Sequence, residues 1–260
     1  MSLDSVPIWA FFAGTILIVM AFYEVGYRLG RIAHDKSAEE KESPASGVAG
    51  AVLGLTAFMM AFTFAMAAER FQTRKELVRT DANVIRTVYL RADFLPEPDR
   101  AETRKLLRMY LDRRLSITRT PDVAPQVDQF LVESDRIQRR VWNIAVANAR
   151  RDMNSDVAAL YIESLNEMFA VHASRLAIGA RTRIPIGIWV VLYGLTILGM
   201  ISMGYHSGIA GSRRSKATWI VAIAFGMVIA LIASLDRPSG LIRVTQQPLA
   251  DVLEFMSVHK

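Results

Sequence analysis

The chain has 260 residues, 52% of them hydrophobic, and a formal net charge of +6; so large an apolar share points away from a soluble domain and towards the bilayer. It contains no cysteine, which excludes disulfides, thiolate metal sites and a cysteine nucleophile. The basic excess of a membrane protein is met by lipid phosphates, so it gives no ground for a nucleic-acid partner.

Taken in chain order, the first charge-free window is 5–23. Only Asp4 precedes it as a charge, and the bulky Tyr23-Glu24-Val25 follows where a signal peptide would place small residues. A retained transmembrane helix is therefore expected over 5–29, with a short polar loop over 30–46. Three more uncharged windows predict spans over 47–68, 184–205 and 217–235, the last two separated by a short basic loop at 206–216. Each is close to the ~20 residues that cross ~30 Å of hydrocarbon.

The second span is patterned. Gly50, Gly54, Ala57, Ala61, Ala65 and Ala68 follow one another at steps of four and three, which puts six small residues on one narrow face. Small side chains let backbones approach, a main source of helix association in lipid. The face is thus either an oligomer contact or a seam inside one subunit. Ala222, Gly226, Ala230 and Ala233 repeat the device on the fourth span, and two stripes favour an oligomer. On a neighbouring face Phe58, Phe62 and Met66 recur at steps of four beside Leu55 and Met59, while Thr56 and Thr63 mark a third direction. Repeated around a symmetry axis, the phenylalanine row makes a constriction that gates by dewetting; otherwise it faces lipid or a sister helix.

Residues 69–183 form a hydrophilic block with three turn signals, LPEPD at 95–99, TPDVAP at 120–125 and RRDMNSD at 150–156. Helical spacing is carried at its start by Phe71, Val78, Ala82, Ile85, Tyr89 and Ala92, and at its end by Val157, Tyr161, Ser164, Leu165, Met168 and Leu176. Four helices joined by three turns, with no strand, predict a helical bundle inserted between spans 2 and 3 of an all-α membrane protein. No proline stands between Gly47 and Leu95, so the bundle is expected to be continuous with helix 2. It is likewise expected to continue into helix 3, with Pro185 in that span's first turn.

Two acidic residues stand at span ends, Glu24 beside Tyr23 and Tyr27, and Asp236, for which Arg237 and Arg243 are candidate partners. Asp236-Arg237-Pro238 stops the fourth span and Gly240 permits a reversal into the amphipathic tail, 236–260. Pro248 then opens a short helix whose Leu249, Val252, Leu253 and Phe255 pack on the bundle or lie at the interface. Gln246 and Gln247 either cap that helix or line a vestibule near the membrane exit.

The runs GLTAFMMAFTFAMAAERFQTRKELVRTDANVIRTVYLRADFLPEP, YIESLNEMFAVHASR and LDRPSGLIRVTQQPL resemble the bestrophin-like-domain family of bacterial membrane proteins, over nearly the whole chain and in the family's order. The resemblance implies a remote likeness to bestrophins, which are oligomeric chloride channels whose pore is lined by one membrane helix per subunit. It also implies a bacterial inner (plasma) membrane location and a cytosolic bundle. The acidic cluster that clasps calcium in animal bestrophins has no counterpart in the C-terminal region, so calcium gating is not implied.

No catalytic constellation competes with that reading. His34, His172, His206 and His259 are scattered, and none stands at ligand spacing from another. Glu163 and Glu167 share a helix face from which His172 is offset; a polar packing cluster is expected there rather than a metal site. Nucleotide-binding loops and nucleophile elbows are absent from the sequence. No cofactor, no metal and no enzymatic activity are expected. The partners expected are the lipid bilayer, further copies of the chain and inorganic ions, chloride among them. Three functions remain open: a homo-oligomeric anion channel with a hydrophobic neck on helix 2, a non-catalytic scaffold or sensor that binds a partner through its bundle, and, third, a monomeric transporter, for which the inverted repeats and matching Gly/Pro-broken spans are not seen.

Overall fold

The computed structural model describes residues 6–36, 42–119, 124–181, 183–212, 217–237 and 241–259. Among them the chain is helical, with no strand. Eight α-helices follow in order: α1 (Ile8–Lys36), α2 (Glu42–Arg91), α3 (Asp99–Arg119), α4 (Ala124–Ala149), α5 (Asp156–Ser174), α6 (Ile186–Ile209), α7 (Ala217–Asp236) and α8 (Gln247–Val258). Of these, α1, α2, α6 and α7 are long and apolar enough to cross a membrane. The reversal expected at Gly240 lies outside the described residues.

The chain divides into two units, one of Met1–Gln72 with Arg183–Arg243, the other of Thr73–Thr182 with Val244–Lys260. In the first, α1 packs along α6 and α7. Its buried residues Phe11, Thr15, Val19, Tyr23, Gly26, Tyr27 and Gly30 step by threes and fours, the ridge that an α-helix presents to a neighbour. The crossing with α6 is close because glycines face it from both sides. A Cβ on Gly26 would overlap the carbonyl oxygen of Ile201, and one on Gly30 that of Tyr205; on the other helix, Gly204 and Gly208 meet the carbonyl oxygens of Tyr23 and Tyr27. Only a residue without a side chain lets two backbones approach so nearly. Both helices run past the expected ends of their spans, α1 to Lys36 rather than 29 and α6 to Ile209 rather than 205.

In the second unit Val78, Ala82, Ile85, Val88 and Tyr89 of α2, with Ala92 just after its end, are buried against Leu107, Tyr110 and Leu111 of α3, Val141 and Ile144 of α4, and Tyr161, Leu165 and Met168 of α5. Val157, expected on this face, is 45% exposed; it lies in the first turn of α5, before the packed stretch begins. The tail joins this core through Leu249, Val252 and Met256 of α8. Each such side chain contributes up to ~1.5–3 kcal/mol when fully buried. Tyr89 fixes the tail's end by donating to the carbonyl of His259 at 2.6 Å.

α2 is one uninterrupted helix of 50 residues, but the other join differs from expectation. After α5 a π-helical segment, Arg175–Arg181, widens the turn, and residues 183–185 are not helical. Pro185 is the N-cap of α6 with ψ 139°, not a residue of its first turn. The cause is steric: proline disfavours the helical region for the residue before it, here Ile184, and so breaks the continuity.

Candidate functional site

Within the first unit, α2 buries Ala49, Thr56, Met60, Thr63 and Ala67, a single ridge at steps of three, four and seven. The Thr56 hydroxyl donates to the Leu195 carbonyl of α6 at 3.1 Å and to its own Val52 carbonyl at 2.8 Å. The third direction of the sequence pattern is therefore the one that packs within the subunit. The other two are left on the chain's surface. Gly50, Gly54, Ala57, Ala61 and Ala65 are exposed, and a Cβ on Gly50 or Gly54 would meet open space. Phe58 is 66% and Phe62 53% exposed, with Met66 half-buried. At 100° per residue, the two rows lie side by side and leave more than a third of the helix unpartnered.

The stripe on α7 is different. Ala222, Gly226 and Ala233 are buried, and a Cβ on Gly226 would press on Phe12 and Ile16 of α1. It is an internal seam, so it lends no support to an oligomer.

At the span ends, Glu24 pairs with Arg28 one turn on, at 2.8 Å. Asp236 accepts a hydrogen bond from the Ile184 backbone N–H at 3.0 Å and faces Arg70 at 3.7 Å. The Arg237 guanidinium donates to the Val6 carbonyl and lies 4.5 Å from the centre of the Phe11 ring. Arg243 is exposed. The sequence missed Arg70 because its partner is far along the chain, whereas Arg237 and Arg243 are near it.

Gln246 occupies the N-cap position of α8 but makes no capping bond with its side chain. Its amide oxygen accepts instead from Arg175 at 3.0 Å, and Gln247 donates to Asp251 at 2.8 Å. Both glutamines belong to the second unit.

That unit holds a polar cluster the sequence did not reveal. Asp81 is fully buried; its Oδ2 receives Arg175 at 2.6 Å and Arg114 at 3.1 Å. Arg114 also donates to the Tyr110 hydroxyl, which lies 2.9 Å from Nδ1 of His172. Burial pushes the Tyr110 hydroxyl up to about 12. Burial and then the Arg114 charge push the His172 imidazole down to about 4, so it is neutral at pH 7. Two guanidiniums thus share one buried carboxylate, where an unpaired charge is costly. Glu163 and Glu167 are exposed and stand apart from this cluster. Among the described residues no three His, Asp or Glu side chains gather as a metal cage. A signal for Asp81 did exist: it follows Val78 by three and precedes Ile85 by four, a carboxylate on an otherwise apolar ridge.

The comparisons bear on the whole architecture. A family model described as the Bestrophin-like domain matches residues 13–249. Among solved structures, a bacterial bestrophin homologue from Klebsiella pneumoniae is similar at 16% identity with a TM-score of 0.64, covering 97% of each chain. A point mutant of that homologue is similar at 16% identity with a TM-score of 0.65, covering 94% of this chain and 97% of the other. No curated protein matches the sequence. The match over residues 13–249 takes in all four apolar helices and the bundle between them, and the chain belongs to the bestrophin-like family of membrane proteins.

Proposed function

We propose that the protein is a homo-oligomeric ion channel, conducting anions such as chloride, with α2 lining the pore. The observation that supports this reading best is the half-empty α2: one ridge packs within the subunit, while the small-residue row and the phenylalanine row are both exposed. In a ring of subunits the small residues admit the neighbouring helix closely, and Phe58, Phe62 and Met66 turn to the axis as a hydrophobic neck. Membership of the bestrophin-like family and the fold shared with bacterial bestrophin homologues favour a channel over a catalyst. The bundle lies on the cytosolic side and the protein in the bacterial inner membrane.

The test is flux in liposomes containing the purified protein, with a potassium chloride gradient across the membrane. Current or dye-reported flux above protein-free liposomes supports the channel, and the sign of the reversal potential tells anion from cation. Folded, oligomeric protein that passes neither ion overturns the reading and leaves a scaffold or sensor acting through its bundle.

A further inference from the structure

The large apolar side chains that the second unit leaves exposed are gathered rather than scattered. Leu90, Phe94, Val157 and Leu160, 42–48% exposed, stand on one face, and Met109 and Val132, 42% and 72% exposed, on another. Among the described residues of this unit only Met153, in the turn before α5, and Val258, the last residue of α8, lie elsewhere. We infer that the two faces meet between copies of the chain, the first on one bundle against the second on the next. Such a contact presupposes the homo-oligomer of the proposed function and names where its bundles join.

The placement follows from the order of the helices. The short 3-10 turn Ala92–Phe94 that ends α2 packs on α3 and on α5, α3 packs on α4, and α4 on α5. The four close a square, in which the side shared by α2 and α5 is opposite the side shared by α3 and α4. On the first side Arg91 donates to the Leu160 carbonyl at 2.6 Å, which sets Leu90 and Phe94 beside Val157 and Leu160. On the second, Arg113 pairs with Glu133 at 3.4 Å; Met109 is four residues before the arginine and Val132 one residue before the glutamate. Opposite faces suit a head-to-tail contact, which repeats around an axis and closes into a ring. Lone exposed apolar residues are ordinary, but groups of them inside a polar rim mark a contact.

The rims carry opposite charge. Beside the first group Glu163 and Glu167 are exposed and stand in no ion pair among the described residues; Arg91 is the cation next to them, which leaves an excess of one negative charge. Arg86, four residues before Leu90, is engaged over the Phe255 ring of α8, 4.3 Å from its centre. Beside the second group Arg113 is matched by Glu133, Arg140 by Glu102 and Arg139 by Asp135, while Lys105 and Asp112 on the outer face of α3 offset each other. Arg136, exposed and four residues after Val132, stands in no ion pair among the described residues, an excess of one positive charge. Arg150 and Asp156 flank the turn between α4 and α5 and offset each other. An unrelated acidic or basic partner would match one face only; a second copy matches both.

The chain has no cysteine, so a pair can be introduced cleanly as Val132→Cys/Leu160→Cys, both at exposed positions. Within one chain the two positions are separated by the width of the bundle, two helices of about 10 Å each, far beyond the ~4 Å between the β-carbons of a disulfide. Any bond between them therefore joins two chains. The full chain is oxidised in detergent and run on a denaturing gel, with the elution volume of the unoxidised protein measured alongside. A ladder of linked chains is expected from the double variant, unchanged in yield on tenfold dilution, while each single variant stays unlinked. A dimer from Leu160→Cys alone would mean a two-fold contact and overturn the head-to-tail assignment. A ladder that fades in proportion to dilution would mark chance collision and overturn it as well. Protein that elutes as an oligomer but gives no ladder would overturn it and leave the oligomer standing, with these faces open to another protein. Elution as a monomer would overturn the contact and the oligomer together.

Discussion

The Nδ1 atom of His172 lies 2.9 Å from the hydroxyl of Tyr110, and that oxygen already accepts from Arg114. Arginine can only donate, and the same Arg114 guanidinium lies 3.3 Å from Nδ1, so Nδ1 is the bare nitrogen and the tyrosine proton goes to it. Protonating His172 would replace this acceptor by a donor and bring a third positive charge to Arg114 and Arg175, against the one carboxylate of Asp81.

The consequence is a pH dependence of stability with a defined sign. The unfolded imidazole titrates near ~6.5, the folded one near about 4. Between those values the unfolded chain binds a proton that the folded chain refuses, so stability falls as pH drops from ~6.5 towards 4. His172→Gln keeps an acceptor and cannot titrate. The melting temperature in detergent should therefore drop less between pH 7 and pH 5 for the variant than for the wild type; equal drops would show that His172 is not held neutral.

Asp81 carries more of the bundle than any single apolar contact around it. Asp81→Asn is nearly isosteric but leaves Arg114 and Arg175 buried without a counter-charge, a change that costs about 3–5 kcal/mol when one partner of a buried pair is removed. Chemical denaturation read by a bundle fluorophore such as Trp142 should show that loss. A loss below about 1 kcal/mol would mean that the pair is hydrated like a surface one.

The glycines of the first unit divide into two classes that substitution should separate. Gly204→Val forces a side chain into the carbonyl of Tyr23 and should destabilise at or beyond the top of the usual ~1–3 kcal/mol for overpacking. Gly54→Val points into open space on the isolated chain, so the subunit should fold. Thermal melting of both variants in detergent, each brought to the monomeric state, checks the contrast, and equal losses there would place Gly54 in an internal seam.

The four spans were legible because uncharged runs of that length have few other uses, and the bundle because its turns are punctuated by proline and polar clusters. The crossing of α1 on α6 was not. Gly26 and Gly30, and Gly204 and Gly208, are each visible as pairs four apart, but spacing does not say which pair faces which. For the same reason the stripes on α2 and α7 read alike, although one is exposed and the other packs on Phe12 and Ile16. The Asp81–Arg175 pair joins residues 94 apart, a separation over which local patterning carries no information.

If the small-residue row of α2 is the oligomer contact, Ala61→Trp should split the assembly, because an indole separates backbones that close packing holds together. The residue is exposed on its own subunit, so the monomer has no steric reason to unfold. Light scattering and a crosslinking ladder should both report a smaller species; an unchanged oligomer would move the contact to another face.

The neck gives the last test. Phe58 and Phe62 are four residues apart, ~6 Å along the axis, and both stand clear of their own subunit. An ion passing two such rings must shed water that phenyl groups do not replace, so wild-type conductance should be low and set by whether water enters. Truncating both to alanine widens and wets the neck, and ion leak should rise severalfold with the oligomer intact, since the mean direction of Ala57, Ala61 and Ala65 lies about 80° away from that of the two rings. Flux equal to the wild type for chloride and for potassium, in a double variant that still assembles, would mean that these rings face lipid or a sister helix. In that case α2 would not be the helix that lines a pore.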